Sequence, residues 1–236
     1  MLSLMPVHSP KEIALNPNDS NSNSNSNSNS NPTITTFAWV PEFARGFVRD
    51  VQVRWALEEA GRPYQVRLIN GADQNTPQYR SQQPFGQVPV YQEGDLILFE
   101  SGAIVHHIAS SSPALMPHDA AERSRTLSWM FAAYNTLEPH VHQFNDVDKM
   151  GDSEHRSAVK AKLEQRLAAL QSQVAEREYL LDRFTAADIL MTTVLRNTSL
   201  AAQFPGLLAY HARCNARPAA RKALADHLAT FANAAA

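Results

Sequence analysis

Apolar positions between Thr33 and Ser111 alternate between two periods. ITTF (Ile34–Phe37) is short, β-branched and aromatic, which predicts a strand. In VQVRWALEEA (51–60), Val51, Trp55 and Ala56 share one face with Leu57 beside it, which predicts a helix. Gly61 supplies the residue after the helix, and Pro63 stops it from resuming. YQVRLI (64–69) alternates and predicts a second strand. A strand–helix–strand order at this spacing requires a right-handed crossover and a parallel pair. Asn70–Gln83 is polar with one weak helical turn. VPVY (88–91) and LILF (96–99) flank a glycine-containing turn and predict an antiparallel hairpin. ESGAIVHHIASS (100–111) predicts a helix that Pro113 ends. The order over 33–111 is β-α-β-α-β-β-α.

Beyond a linker at 112–118 the pattern is helical throughout, so 119–236 is expected to be an all-α domain. Asp119 and Glu122 resemble a capping box. Leu127, Met130, Phe131, Tyr134 and Leu137 then recur at helical spacing. Val159, Leu163, Leu167, Leu170 and Val174 form a single amphipathic stripe. Thr185 and Asp188 make another cap, and Pro205 and Pro218 each open a further helix. The first 32 residues behave differently. Their Ser-Asn alternation from Ser20 to Asn31 is polar on both faces, so no face can bury apolar area against chain entropy. Residues 1–32 are therefore expected to be a disordered tail.

Composition narrows the function classes. With 21 basic and 23 acidic side chains the net charge is −2, unlike a chain held to nucleic acid by phosphate contacts. No apolar run approaches the roughly 18 residues of a membrane span. Residues 1–17 lack the unbroken apolar core of a signal peptide. The single cysteine, Cys214, excludes an internal disulfide framework and a multi-cysteine zinc site. It is expected to be a buried apolar group. The expectation is a soluble cytoplasmic protein without metal. Glu138, His140 and His142 are not a ligand set, because helix positions i and i+2 diverge. Adjacent His106 and His107 diverge likewise. Arg213, Arg217, Arg221 and Lys222 are read as a solvated basic helix face.

Four segments carry a family resemblance: VRWALEEAG (53–61), QPFGQVPV (83–90), FESGAIVHHIA (99–109) and FTAADILM (184–191). In this order and spacing the chain resembles the cytosolic glutathione transferases, with theta- and zeta-like bacterial features, from about residue 33 to 230. The resemblance implies a thioredoxin-like domain followed by a helical bundle, glutathione as co-substrate and a two-fold homodimer. It implies a cis bond between Val88 and Pro89. Glutathione is an extended peptide with two carboxylates, an amine and a thiol, and an edge strand can hold its cysteinyl part by backbone bonds. Ser101 and the first amides of its helix would take the γ-glutamyl carboxylate, since helix N-termini favour anions. Glu100 would accept the ammonium, and Gln87 would meet the glycyl end.

A transferase must also lower the glutathione thiol pKa from about 8.5. The family uses a Tyr, Ser or Cys after the first strand, yet residues 33–63 contain none. Counting back from VRWALEE puts Phe47 near the theta- and zeta-like serine. The remaining candidates are Arg49 and Arg45 as cations, backbone amides through the helix dipole, and Thr36 as the last hydroxyl before the loop. Trp129, Phe131 and Tyr134 are candidates for a pocket that takes a small apolar electrophile. Three functions follow: conjugation of glutathione to that electrophile in detoxification, a zeta-like glutathione-dependent isomerisation, or a non-catalytic module that binds glutathione or protein partners.

Overall fold

The computed structural model describes residues 31–151 and 153–232. Apart from Asn31 and Pro32, the expected tail lies outside the described residues. Pro32 itself is part of the fold: it is buried, and its carbonyl accepts from Gln65 N at 2.8 Å.

The sheet has the order β2-β1-β3-β4. Strand β1 (Thr33–Phe37) runs parallel to β2 (Gln65–Ile69) and antiparallel to β3 (Val90–Glu93), which pairs in turn with β4 (Leu96–Leu98). Side-chain alternation separates the faces. Ile34 and Tyr91 enter the main core beneath α1 (Asp50–Glu59) and α3 (Ser101–Ser110). Ile69, Val90 and partly buried Phe37 pack with Tyr79 from the single turn α2 (Pro77–Arg80) on the other face. The α1 terminus closes as expected: Gly61 takes φ +64°, its N–H reaches Glu58 O, and Arg62 N reaches Leu57 O.

Helix α1 departs from the one-sided stripe. Every residue from Asp50 to Leu57 is buried. The cause is tertiary: α1 is packed by α3, α7 (Ala186–Arg196) and α9 (Pro218–Ala232) as well as by the sheet. Its polar side chains therefore need internal partners. Arg54 Nε donates to Asp50 Oδ2 at 2.7 Å, and Trp55 Nε1 donates to Glu59 at 3.0 Å.

The segment between α3 and α4 (Ala120–Phe131) is packed as part of the core. Leu115 and Met116 are buried, and Leu115 O accepts from Ala186 N at 2.9 Å. One hydrophobic cluster runs from the sheet through α7 into α8 (Pro205–Asn215). All five stripe residues of α6 (Glu154–Val174) are buried. The Thr185 capping box is present, and buried Asp188 also accepts from Leu180 N and the Tyr210 hydroxyl. Helices α4 and α5 (Glu138–Asp148) are joined by a π-helical segment, Ala132–Leu137. Pro139 explains its position: with no N–H to give, it interrupts the regular ladder just downstream.

The expected solvated basic face is corrected at Arg213 and Arg217, which are half-buried, while Arg221 and Lys222 are exposed. Arg217 grips Glu59 with two nitrogens and lies 3.9 Å above the Phe184 ring, and Lys222 meets Glu58. These residues fasten α9 to the end of α1. Cys214 is buried, and burial pushes its thiol up to about 12.

Candidate functional site

Two helix N-termini and the π segment converge on one place. Glu100 precedes α3 with φ 65° and ψ 111°, a left-handed conformation strained for any residue with a Cβ. It delivers Ser101, 2% exposed, to the first turn of α3, where its Oγ lies 3.2 Å from the Tyr134 hydroxyl. Gly102 permits this approach, since a Cβ there would stand 2.6 Å from the Tyr134 ring. Burial raises the Tyr134 hydroxyl to about 12, while Ser101 and the Arg49 charge oppose the rise. The phenol is therefore a stable O–H donor.

Arg49 closes the cluster from the other side. It is the residue just before α1, its guanidinium lies 5.3 Å from the Tyr134 ring centre, and Nη2 meets Glu138 at 2.8 Å. Glu138, excluded above as a metal ligand, is thus the counter-ion of Arg49, and His142 stands 3.9 Å from it. Gln52, in the first turn of α1, is 1% exposed, and its amide acts on the Tyr134 hydroxyl against the burial that raises it. Beside the cluster opens a cavity of about 520 Å³ whose wall includes Glu100, Ala103, Met130, Phe131 and Tyr134. His106 lines it too, and burial lowers its pKa, helped by the Arg123 charge.

The Val88–Pro89 bond is cis. Strand β3 is internal, not an edge, but the ladder to β1 starts only at Val90. The backbone of Val88 therefore lies ahead of the sheet. Gln87 is exposed; its carbonyl is held by the Tyr79 hydroxyl at 2.7 Å. Val88 packs beside Ile69, Tyr79 and Val90.

Three predicted residues are not brought to this cluster. Arg45 turns toward α8 and α9, into a separate cavity with Arg196 and His211. The intervening Gly46, at φ +83°, reverses the chain between the two arginines. Thr36 is fully buried, its hydroxyl without a partner and away from the described cavities. Trp129 lines a different cavity with Arg166 and Leu170, because the helical repeat carries it round from Phe131 and Tyr134. Gln52 and Gly102 escaped the sequence reading, which weighed Glu138 only as a metal ligand. Only Pro139, as a helix breaker in mid-pattern, hinted at the irregularity that aims Tyr134.

A four-stranded thioredoxin-like sheet with helices, followed by a helical bundle, is the architecture on which this cluster sits. The family model of the glutathione S-transferase N-terminal domain matches residues 43–110. Glutathione S-transferase 1 of Zea mays is 31% identical over 153 residues, covering 61% of this chain and 71% of that protein. A glutathione transferase from Burkholderia graminis, solved with two glutathione molecules bound per subunit, superposes with a TM-score of 0.70 at 28% identity. That match covers 82% of this chain and 87% of the other. A theta class glutathione S-transferase from Xanthomonas axonopodis pv. citri, solved with glutathione bound, gives 0.67 at 29% identity, over 82% of this chain and 97% of its own. The chain belongs to the glutathione S-transferase family.

Proposed function

We infer that this protein binds glutathione along 87–89 and 100–101 and conjugates it, through its thiol sulfur, to a small apolar electrophile. The observation that carries the reading is the convergence of Ser101, Tyr134 and Arg49 beside the apolar cavity. Glu100 accepts the γ-glutamyl ammonium, and Ser101 with the free amides of α3 binds the carboxylate. The Val88 backbone pairs with the cysteinyl unit, and Gln87 meets the glycyl end. The sulfur then points to the start of α1. There the Arg49 guanidinium and the helix dipole stabilise the thiolate, and the Tyr134 hydroxyl donates a hydrogen bond to it. The thiol proton leaves to solvent. The sulfur attacks the electrophilic carbon, and the new C–S bond forms as the leaving group departs with its electron pair. Phe131 and Met130 supply the apolar wall for the second substrate.

A second reading rests on one specific feature: the loop after β1 has no Tyr, Ser or Cys. It makes the protein a glutathione-binding module with weak turnover. The zeta-like isomerase has no such support in the site. We extend the reading to a cytoplasmic homodimer, favoured by the exposed apolar patch of Phe85, Ile97 and Phe99; Phe85 is 63% exposed. Multi-angle light scattering checks the dimer mass.

Titration calorimetry with glutathione, followed by a chlorodinitrobenzene conjugation assay, tests the function. Binding with turnover is the expected result; binding alone selects the module. Ser101→Ala should weaken glutathione by about 1–3 kcal/mol through loss of a charge-assisted partner. Unchanged affinity removes Ser101 from the site.

A further inference from the structure

The arginines around α1 divide into two sets. Arg49, Arg54, Arg62 and Arg217 each meet a carboxylate: Glu138, Asp50, Glu93 and Glu59 respectively. Arg45 and Arg196 meet none among the described residues, yet both line one cavity of about 410 Å³ between the 45–47 segment and helices α8 and α9. The Arg45 Nε is buried there without a partner. Arg196 gives two nitrogens to neutral acceptors, Gly46 O at 2.9 Å and Asn215 Oδ1 at 2.8 Å.

The second contact fixes the rest of the polar wall. With its Oδ1 turned to Arg196, Asn215 presents Nδ2, a donor only, to His211 Nε2 at 3.1 Å and to His211 O at 2.8 Å. His211 Nε2 is therefore an acceptor, and its ring proton sits on Nδ1. Two arginines and a neutral imidazole thus line a cavity whose wall contains no acid. A partly buried cation with only neutral partners carries an uncompensated desolvation cost. The remaining wall, Phe47, Leu224 and Leu228, is apolar.

We propose that this cavity is a second ligand site, distinct from the glutathione cleft, that binds an oxyanion, carboxylate or phosphate, on a molecule with a short apolar body. Arg45 and Arg196 hold the anion, the fork of each guanidinium matching two oxygens. Phe47, Leu224 and Leu228 receive the body. Gly46, whose carbonyl Arg196 holds, joins this site to the loop that ends at Arg49.

Calorimetric titration of the full chain with inorganic phosphate and, separately, with benzoate tests the assignment, each in the presence of saturating glutathione. The expected result is saturable binding of at least one probe, weakened about tenfold or more by Arg45→Gln and by Arg196→Gln. Arg213→Gln, at a half-buried arginine on α8 outside this cavity, should leave it unchanged. The tighter probe identifies the anion: phosphate for a phosphate ester, benzoate for a carboxylate. Arg196→Gln also loses the Gly46 contact, so if that variant fails to fold, Arg45→Gln decides alone. Its Nε makes no hydrogen bond, and the substitution breaks none there. Absence of binding for both probes at millimolar concentration overturns the site. So does binding that Arg45→Gln leaves unchanged, or that glutathione abolishes. Because glutathione occupancy is read by its own titration, failure here leaves the transferase reading standing, and failure there leaves this one.

Discussion

Arg45 and Arg49 are four residues apart on one loop, and their surroundings are opposite. Arg49 lies over an aromatic ring and against a carboxylate, at the start of α1. Arg45 faces a second cavity with another arginine and no acid. The difference arises at Gly46, whose positive φ reverses the chain and whose N–H and C=O are both held by the helical half: His227 Nε2 at 3.1 Å and Arg196 at 2.9 Å. His227 is in turn held by Asp50 Oδ2 at 3.1 Å, and Asp50 by Arg54. A side chain's chemistry on this loop is set by what the last helix and α7 do to its backbone. Charge alone does not distinguish the two arginines.

Breaking the anchor should give the largest effect. Asp50→Ala leaves Arg54 and His227 buried without their shared carboxylate, and the expected loss of stability is about 3–5 kcal/mol. Urea denaturation measures it; a loss below about 1 kcal/mol would mean the cluster is not what holds the loop. At the Arg49 end, Gly102→Ala forces a methyl against the Tyr134 ring. The expected cost is about 1–3 kcal/mol of stability, with weakened glutathione binding as Ser101 and Tyr134 shift. A variant with native melting temperature and affinity would show that α3 and the π segment yield freely there.

Arg49→Ala sharpens the comparison by removing the cation proposed to face the sulfur. Thiolate absorbance near 240 nm should show the bound thiol pKa rising by about a unit, or about 1.4 kcal/mol of differential stabilisation. Turnover should fall more than affinity does. If the pKa stays low, the α1 amides and Tyr134 are sufficient. If the wild type shows no lowering, the binding-module reading takes precedence. The smallest effect belongs to His211. Burial and then the Arg196 charge lower its pKa below the usual 6.5. A depressed histidine contributes stability that is present above its unfolded pKa and lost as pH falls through the folded value. Stability should therefore decline slightly below about pH 6.5, and an NMR titration of the His211 ring should show a midpoint under that of a free histidine. A midpoint above 6.5 would require an anion already beside the ring.

Legibility followed the range of the interactions concerned. The α1 terminus was readable because Gly61 and Pro63 act within one turn of the residues they stop. The Thr185–Asp188 cap and the α6 stripe were readable for the same reason. Val88–Pro89 and Glu100–Ser101 stood out only through the resemblance, since a proline or a Glu-Ser pair alone specifies no ligand. Arg49 was named from its place before α1, but its partner Glu138 is 89 residues away and was invisible. Arg217 and Lys222, at the start of α9, read as solvated because their partners Glu59 and Glu58 lie on a different helix.

By itself, then, the order of short-range signals determined the elements and, with the family motifs, pointed to the segments proposed to hold a peptide ligand. Helix periods, caps and turn residues act over a few bonds, and the chain states them directly. Which face each side chain presents to the others was decided only when α9 and α7 packed on α1. Burial all round α1, the π segment that aims Tyr134, the reversal at Gly46 and the missing counter-ion of Arg196 are products of that packing. Each depends on electrostatics and contact between atoms far apart in sequence, for which no local pattern of residues carries a signal.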